Sequence, residues 1–530
     1  MSDNAPPDSV RTTGSNITDV DARPAAHLAA VLDLAVPSMA LGDIETAPED
    51  FLQCIDLFYG HFHPQLPFLA GKATLLKDSL GYPLLAWAVV AVAARVSLNP
   101  MVNGIRARLT WPIRRLAAQS IMTPRSLPAI QALLILCLWP MPYAAVIDDP
   151  SWTWSGIANQ KALQLGLYRP LQRLVEYAKG DIQVAKSMQN IWMACVVVGQ
   201  MHSTRHGIPS TIPLEHVNPQ LPLPQGSQVL GAAVELARKD MVISSLLSDH
   251  DGASIPPTRT PALRALAVEL EDLDAKIQPH QSPLLDRILS TIKLRLYSFV
   301  FRQGRGNAKS HCDPADVTMY ISKAYAVATH HITTSLDDDV QNWTFIDLQS
   351  FIMALFTVLD ISRRHRTFVN PQQVSEMFQR GSEMLRSCSV IDGDHFYRVC
   401  EIINYLSAKP PPGGESDQPL DPDTMTTTIR PEAGIGVAYD IVKEAQKRYR
   451  RNVRFPEEFP DLSTDPAAMD TKGDGTEGNA PGLGVASGEM EGSSVGDGSA
   501  DFEWMRDDFL SQSMFPAEVN FASWSGWERV

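Results

Sequence analysis

Two linked blocks in residues 149–209 constrain the fold of this 530-residue chain more than any other feature. In the first block, apolar and small residues recur at the spacing of one helix face: Trp154, Ile157, Ala158, Ala162 and Leu165. Ser151 can cap this helix, and its small residues, including Gly156, are expected to let another helix approach closely. Gly166 stands where a left-handed C-terminal residue belongs, and Pro170 forbids continuation. The block therefore predicts one amphipathic helix packed tightly against a neighbour.

The second block is a helix of a different kind. Residues 191–199 are almost uniformly apolar, which is typical of a helix buried on all sides. His-Gly-Ile-Pro at 206–209 then breaks the pattern, because Gly207 supplies free backbone torsions and Pro209 an extended exit. Neither block contains a catalytic constellation, so both are interpreted as packing and helix-end features.

The rest of the chain predicts an all-α, multi-helical fold, without a run of alternating strands. A capping box at Thr46-Ala-Pro-Glu49 is expected to start the first helix. Further helices are predicted at 78–96, 102–120, 127–138, 152–166, 181–203, 228–248, 261–276, 282–303, 314–335, 343–363, 371–388, 394–408 and 431–451. Apolar residues occupy all sides of the helix predicted at 343–363, which is therefore expected to be central.

The two ends of the chain differ from this body in composition. The net charge of −15 is concentrated there: residues 456–530 hold sixteen acidic and three basic residues, whereas the central body is close to neutral. A neutral body is not an electrostatic footprint for nucleic acid. We predict a disordered N-terminus at 1–45, a helical body at 46–455 and a disordered Gly/acidic linker at 456–500.

The last segment, 501–530, interleaves seven aromatic residues with six acidic ones. This pattern is typical of a transcriptional activation segment, in which acidic groups keep aromatic side chains exposed for a partner's groove. The residues that we expect to make such contacts are Phe502, Trp504, Met505 and Phe509. The alternative is a segment that packs back onto the body.

A basic run lies in the last turns of the helix predicted at 431–451, and its residues are Lys447, Arg448, Arg450 and Arg451. It can serve nuclear import, or it can be a solvated helix end whose cations interact with the helix dipole. Both interpretations remain open at this stage.

No residue is predicted to be catalytic, cofactor-binding or metal-binding. The six cysteines are at least twelve residues apart, so they are interpreted as reduced thiols in a core. Cys195, His202 and His206 share one predicted helix face and offer a weak alternative metal site, which lacks a fourth ligand.

The two blocks together resemble the middle homology region of fungal zinc-cluster transcription factors. The matching positions, interpreted as structural, are Trp154, Gly156, Ala158, Gly166, Arg169, Trp192, Gly207 and Pro209. Residues 58–69 also resemble the opening motif of that family. The chain departs from it at Trp192-Met193 and Gln200-Met201. The zinc cluster that reads DNA in this family has no counterpart here, since no cysteine precedes Cys54.

The resemblance implies a nuclear transcriptional regulator that acts on a specific metabolic or biosynthetic gene set and is not an enzyme. Its body would gate the C-terminal segment, whose partner would be the transcription machinery or a coactivator. DNA would be a partner only through a reader supplied elsewhere, and no membrane contact is implied. The alternative is an interaction protein that does not bind DNA and that dimerises with or inhibits full-length zinc-cluster factors.

Overall fold

The computed structural model describes residues 23–122, 126–143, 149–217, 228–247, 260–278, 282–301, 313–390 and 394–407, together with Ile441 and Ala445. Within these ranges the chain forms seventeen α-helices and one two-stranded hairpin, which confirms the predicted all-α class. The first helices are α1 (Ala25–Val31), α2 (Pro48–Leu57), α3 (Lys72–Gly81), α4 (Pro83–Ala93), α5 (Pro100–Asn103), α6 (Thr110–Ile121), α7 (Leu127–Leu138), α8 (Ser151–Gln164) and α9 (Leu171–Tyr177). They are followed by α10 (Ile182–His206), α11 (Gln228–Leu247), α12 (Thr260–Ile277), α13 (Pro283–Phe301), α14 (Pro314–Ser335), α15 (Phe345–Arg364), α16 (Pro371–Cys388) and α17 (His395–Ser407).

Helix α15 is central, as its composition predicted. It contacts α7, α13, α14, α16 and α17. The predicted core positions are all buried: Phe345, Leu348, Ile352, Leu355 and Leu359. Among the described residues, α15 is the one helix long and apolar enough to cross a membrane, but 89% of that stretch is buried inside the protein. Such burial is the pattern of a core helix.

Helix α10 is the second organising element and contacts α7, α8, α9 and α11. Asp181 caps its N-terminus by accepting hydrogen bonds from the backbone of Gln183 and Val184. Its C-terminus ends at Gly207, whose φ of 65° is left-handed, and the Ile208 N–H donates to the Ser203 carbonyl at 3.0 Å. This six-to-one bond satisfies a carbonyl that the helix would otherwise leave unpaired.

The prediction of a capping box at Thr46 is wrong. Thr46 ends the second strand of a hairpin (β1, Met39–Leu41; β2, Ile44–Thr46), and the residue before α2 is Ala47, which makes no side-chain cap. Strand pairing with Met39 holds Thr46 in the sheet, and this tertiary constraint overrides the local signal.

The N-terminal boundary at residue 45 is also placed too late. Helix α1 and the hairpin pack on the body, and Ala25, Leu28 and Ile44 are buried. The backbone N–H of Ala25 donates to both carboxylate oxygens of Asp56 at 3.0 Å. The average composition of 1–45 concealed this short apolar segment.

Several predicted helix boundaries need correction. The helix predicted at 78–96 is two helices, α3 and α4, because Tyr82 before Pro83 takes an extended conformation. The segment at 102–120 divides into α5 and α6, and α9 was missed. Of the helix predicted at 431–451, only Ile441 and Ala445 lie in the described part, and both are helical and buried.

The sequence analysis expected the small residues of α8, including Gly156, to let another helix approach closely. The close approach of α8 and α10 instead occurs at Gly199 of α10. A Cβ added at Gly156 would meet nothing within 4 Å, whereas one added at Gly199 would lie 2.6 Å from the side-chain amide group of Asn159. The Asn159 amide nitrogen donates to the carbonyls of Ser155 and Cys195, and its oxygen accepts from Thr211. Gly199 therefore provides the space for a polar joint between the two helices.

We predict that Gly199→Ala destabilises the body by about 1–3 kcal/mol, because overpacking must displace Asn159 from its buried hydrogen bonds. Urea unfolding measures the change. Gly156→Ala is the matched control, since it removes a helical glycine where space is open and should stabilise by about 0.5–1 kcal/mol. Equal effects of the two variants would contradict the assigned packing.

Candidate functional site: a buried arginine network and the pocket beside it

The two sequence blocks are joined by a buried ion pair. Arg205, near the end of α10, donates from Nη1 to Oδ2 of Asp149 at 2.7 Å, and the two side chains are 6% and 1% exposed. Asp149 also accepts from the backbone N–H and the hydroxyl of Ser151 at the start of α8. Asp149 thus performs the capping role that the sequence analysis gave to Ser151. The reason is position: Ser151 is already the first residue of the helix.

The network continues from Arg205 toward the chain's other helices. Nη2 of Arg205 donates to the hydroxyl of Tyr143 at 2.7 Å. The Tyr143 ring stacks on His395 of α17 with centroids 5.9 Å apart. On the other side, His202 stacks on Phe345 of α15 at 3.8 Å, with an interplanar angle of 7°. One buried cluster therefore connects α8, α10, α15 and α17.

Burial determines the charge states in this cluster. It lowers the pKa of His202 and of His395 to about 3, with a further lowering by the Arg205 cation, so both imidazoles are neutral. Burial raises the pKa of Tyr143 to about 12. Burial has the largest single effect on Asp149 and acts to raise its pKa, but Arg205, His202 and the hydrogen bonds from Ser151 together outweigh it, and the net shift is downward. Arg205 and Asp149 therefore form the charged pair of an otherwise neutral cluster.

Tyr143 also lines a pocket next to this network. The pocket encloses about 30 Å³, roughly the space for two water molecules. Its wall is assembled from segments far apart in sequence: Arg95, Arg106, Pro140, Met141, Pro142, Tyr143, Val340, Gln341, Leu348, Cys388, Val390, Asp394 and Phe396. The pocket is therefore a place where the N-terminal and C-terminal parts of the body meet.

Two half-buried arginines dominate the charge of the pocket. Arg95 donates to the backbone carbonyls of Trp343 at 2.9 Å and Pro140 at 3.4 Å, and Arg106 donates to the amide oxygen of Gln341 at 3.3 Å. Among the described residues, neither guanidinium has an ion-pair partner. Burial and the nearby Arg106 cation lower the pKa of Arg95 to about 9, and burial also lowers the pKa of Arg106.

The one carboxylate among the described residues of the pocket wall is held by backbone N–H groups of its own segment. Asp394 accepts from the backbone N–H groups of Val390, Phe396 and Tyr397 and so caps α17. These amides partly offset its charge. The pocket consequently has an excess of positive charge.

The turn at 340–343, which forms one wall of the pocket, is held by hydrogen-bond donors from the N-terminal part of the body. Gln65 donates to the Asn342 carbonyl at 2.7 Å, and the Trp139 indole donates to the same oxygen at 3.3 Å. Phe58 and Phe62 pack edge-on against Trp139 within a π-helical turn, Phe58–Phe62, that extends α2. Such turns occur often at functional sites. The opening sequence motif, residues 58–69, therefore helps to hold the turn that forms one wall of the pocket.

The remaining motif residues lie at helix ends and packing contacts around this region. Trp154, Ala158 and Trp192 are buried, and the Trp192 ring meets Tyr168 edge-on at 6.2 Å. Gly166 is left-handed at φ 71°, with Arg169 folded over it, while Arg169 and Pro209 are exposed. The sequence analysis missed Arg95, Arg106, Arg205 and Asp149 as a group. Arg205, in the last turn of α10 after the apolar run, was the one signal that could have pointed to them.

The weak metal alternative receives no support from the geometry. Among the described residues, no group of three or more metal-ligating side chains converges. His202 Nε2 faces the Cys137 carbonyl at 3.3 Å instead. The five cysteines of the described ranges are free thiols, and four of them are buried.

The residues predicted for activation and nuclear import lie outside the described part of the chain. These are Phe502, Trp504, Met505 and Phe509, and Lys447, Arg448, Arg450 and Arg451. Their roles remain predictions from the sequence.

Comparison with known proteins places the described site in a family context. Residues 55–232, which include both sequence blocks, match the family model described as the fungal specific transcription factor domain. The chain is 26% identical over 443 residues to the transcriptional regulatory protein SEF1 of Candida albicans, covering 79% of this chain and 47% of that protein. It is also 26% identical to SEF1 transcription factors of Eremothecium gossypii and Saccharomyces cerevisiae, covering in each case 64% of this chain and 32% of the relative. The chain thus spans about half or less of the length of these relatives. No solved structure matches it.

Proposed function

We propose that this chain, whose residues 55–232 match the fungal specific transcription factor domain, is a nuclear transcriptional regulator whose helical body gates a C-terminal activation segment. The match of residues 55–232 to that domain is the observation that carries this proposal. The matched relatives are transcription factors, which implies a role other than catalysis. Control of a specific metabolic or biosynthetic gene set belongs to the proposal.

The composition of residues 501–530 supports the activation role. Seven aromatic residues alternate there with acidic ones, and such segments dock amphipathic faces into grooves of coactivators. The partner in this proposal is the transcription machinery or a coactivator. The basic run at 447–451 is proposed to serve nuclear import.

The large, interconnected core supports the gating role. Helix α15 contacts helices from both the N-terminal and C-terminal parts of the body, and the Arg205 network links four helices through buried contacts. Interlocked packing of this kind changes between discrete arrangements rather than by small continuous shifts. A body that moves as a unit can restrain or release an attached segment.

We predict that the full chain, fused to a heterologous DNA-binding domain, activates a reporter gene, and that replacing Phe502, Trp504 and Phe509 with alanine lowers the output at least several-fold. The reason is that these rings supply the apolar contact area for a partner. The triple variant with alanine at Phe515, Phe521 and Trp524 is the comparison, and we expect it to lose less output because it retains the 501–510 face. Protein amounts are measured by immunoblot in parallel. Reporter output that does not change in the first triple variant would refute the activation role.

A further inference from the structure

The pocket wall contains two cations whose compensating charge is not supplied by the described protein. Arg95 donates hydrogen bonds to two backbone carbonyls, and Arg106 donates one to the neutral amide oxygen of Gln341. Other arginines inside the body are treated differently: Arg205, Arg287 and Arg295 each pair with an aspartate. Buried charges without a partner are costly and therefore uncommon.

From this contrast we infer that the pocket between Arg95 and Arg106 binds a small oxyanion, the carboxylate or phosphate group of a metabolite. Planar guanidinium groups bind both kinds of oxyanion through paired N–H donors. A cavity of about 30 Å³ accommodates one such group, and any further part of the ligand must extend toward the mouth of the pocket. The apolar wall at Met141, Leu348 and Phe396 suits a short carbon chain attached to it.

The electrostatics of the pocket agree with this ligand class. Burial, and after it repulsion by the Arg106 cation, lowers the pKa of Arg95, and an anion between the two guanidinium groups would oppose that repulsion. The Cys388 thiol contributes no negative charge, because burial raises its pKa to about 12. Among the described residues of the wall, Asp394 is the one opposing group, and three backbone N–H groups already stabilise its carboxylate.

The position of the pocket connects the ligand to the sequence blocks. Tyr143 lines the pocket and bonds Arg205, which holds Asp149 at the start of α8. A ligand that fits one packing of this chain of contacts better than another shifts the body toward that packing. The inference rests on the proposed function for this regulatory consequence, whereas binding itself does not.

The test is thermal unfolding of the purified full chain with inorganic phosphate, acetate or malonate at constant ionic strength, with sodium chloride as the baseline. We expect at least one anion to raise the melting temperature saturably, with a Kd of about 1 mM or tighter. Comparing phosphate with acetate and malonate shows whether the pocket prefers a phosphate or a carboxylate. Comparing malonate with acetate shows whether a second carboxylate adds to binding.

Arg106→Gln is the decisive variant, because Arg106 donates a hydrogen bond to Gln341, and its loss leaves the turn at 340–343 held by Arg95, Gln65 and Trp139. We expect it to weaken binding about tenfold or more, as loss of a charge-assisted bond does. Arg106→Lys keeps the positive charge but loses the paired N–H donors of the guanidinium group, so it should bind the anion with intermediate affinity. This variant replaces Arg106→Gln in the test if Arg106→Gln does not fold. Arg173→Gln, at an exposed arginine of α9, is the control and should bind like the unaltered chain.

Two results would overturn the inference: no saturable stabilisation by any of the three anions, or equal stabilisation of the Arg106→Gln variant and the unaltered chain. Neither result would bear on the tail, because the reporter experiment measures activation without added ligand. Conversely, an inactive tail together with Arg106-dependent anion binding would leave the pocket standing and refute the activation role alone.

Discussion

Replacing Arg205 with methionine is expected to destabilise the body by about 3–5 kcal/mol, the usual consequence of removing one partner of a buried ion pair. Asp149 would remain 1% exposed and charged, and the Tyr143 hydroxyl would lose its donor. Methionine keeps much of the apolar stem of arginine, so lost packing contributes less than the uncompensated charge. Equilibrium urea unfolding measures the loss as a lower midpoint with an unchanged slope.

Two further variants identify the cause of that loss. Adding Asp149→Asn to Arg205→Met removes the orphaned charge and retains an acceptor for Ser151, so the double variant should recover part of the stability. Arg173→Met breaks an exposed pair with Glu176, whose side chains are 67% and 64% exposed, and should change the unfolding free energy by less than about 0.5 kcal/mol. A double variant no more stable than Arg205→Met would mean that packing, and not charge, is what Arg205 supplies.

Acidification is expected to destabilise the body, because three deeply buried histidines resist protonation. Burial lowers the pKa of His202, His331 and His395 to about 3, whereas an unfolded histidine titrates near 6.5. Below about pH 6.5 the unfolded chain therefore binds more protons than the folded one, and stability falls as the pH falls. The stability that these neutral histidines contribute is fully present well above pH 6.5. Each of these histidines should lower the unfolding free energy by about 1.4 kcal/mol between pH 7.5 and 5.5.

Neighbouring histidines on α14 provide a matched test of that prediction. His331 is buried and its Nε2 lies 3.0 Å from the Ser350 hydroxyl, whereas His330 is exposed. His331→Gln keeps a hydrogen-bonding group but cannot titrate, so the difference in unfolding free energy between pH 7.5 and 5.5 should shrink. His330→Gln should leave that difference unchanged. Equal pH dependence in the two variants would contradict the assignment of acid sensitivity to buried imidazole.

Helix positions were predictable where local signals and tertiary packing agree. The run at 343–363 became the central helix α15 because apolar residues surround it, and Gly166 and Gly207 end their helices in the left-handed conformation that their positions indicated. The capping box of α15, formed by Thr344 and Asp347, was present in the sequence but went unnoticed. Its Asp at the third position is a weaker signal than the usual Glu or Gln.

Errors arose where long-range contacts decide the local structure. Strand pairing placed Thr46 in β2, and contact with Asp56 ordered the segment that starts at Ala25. The pocket could not be predicted at all, since Arg95, Arg106, Tyr143 and Asp394 come from four separate segments that only the fold brings together. Composition alone cannot tell an arginine that meets a carboxylate from one that does not.

The proposed restraint of the acidic aromatic segment by the helical body is measured by the reporter output of two fusions to the same heterologous DNA-binding domain. One fusion carries residues 501–530 alone and the other carries the full chain, with output normalised to protein amount. We expect the segment alone to activate the reporter several-fold more strongly than the full chain. Equal output from the two fusions, or no output from the segment alone, would contradict the proposed restraint.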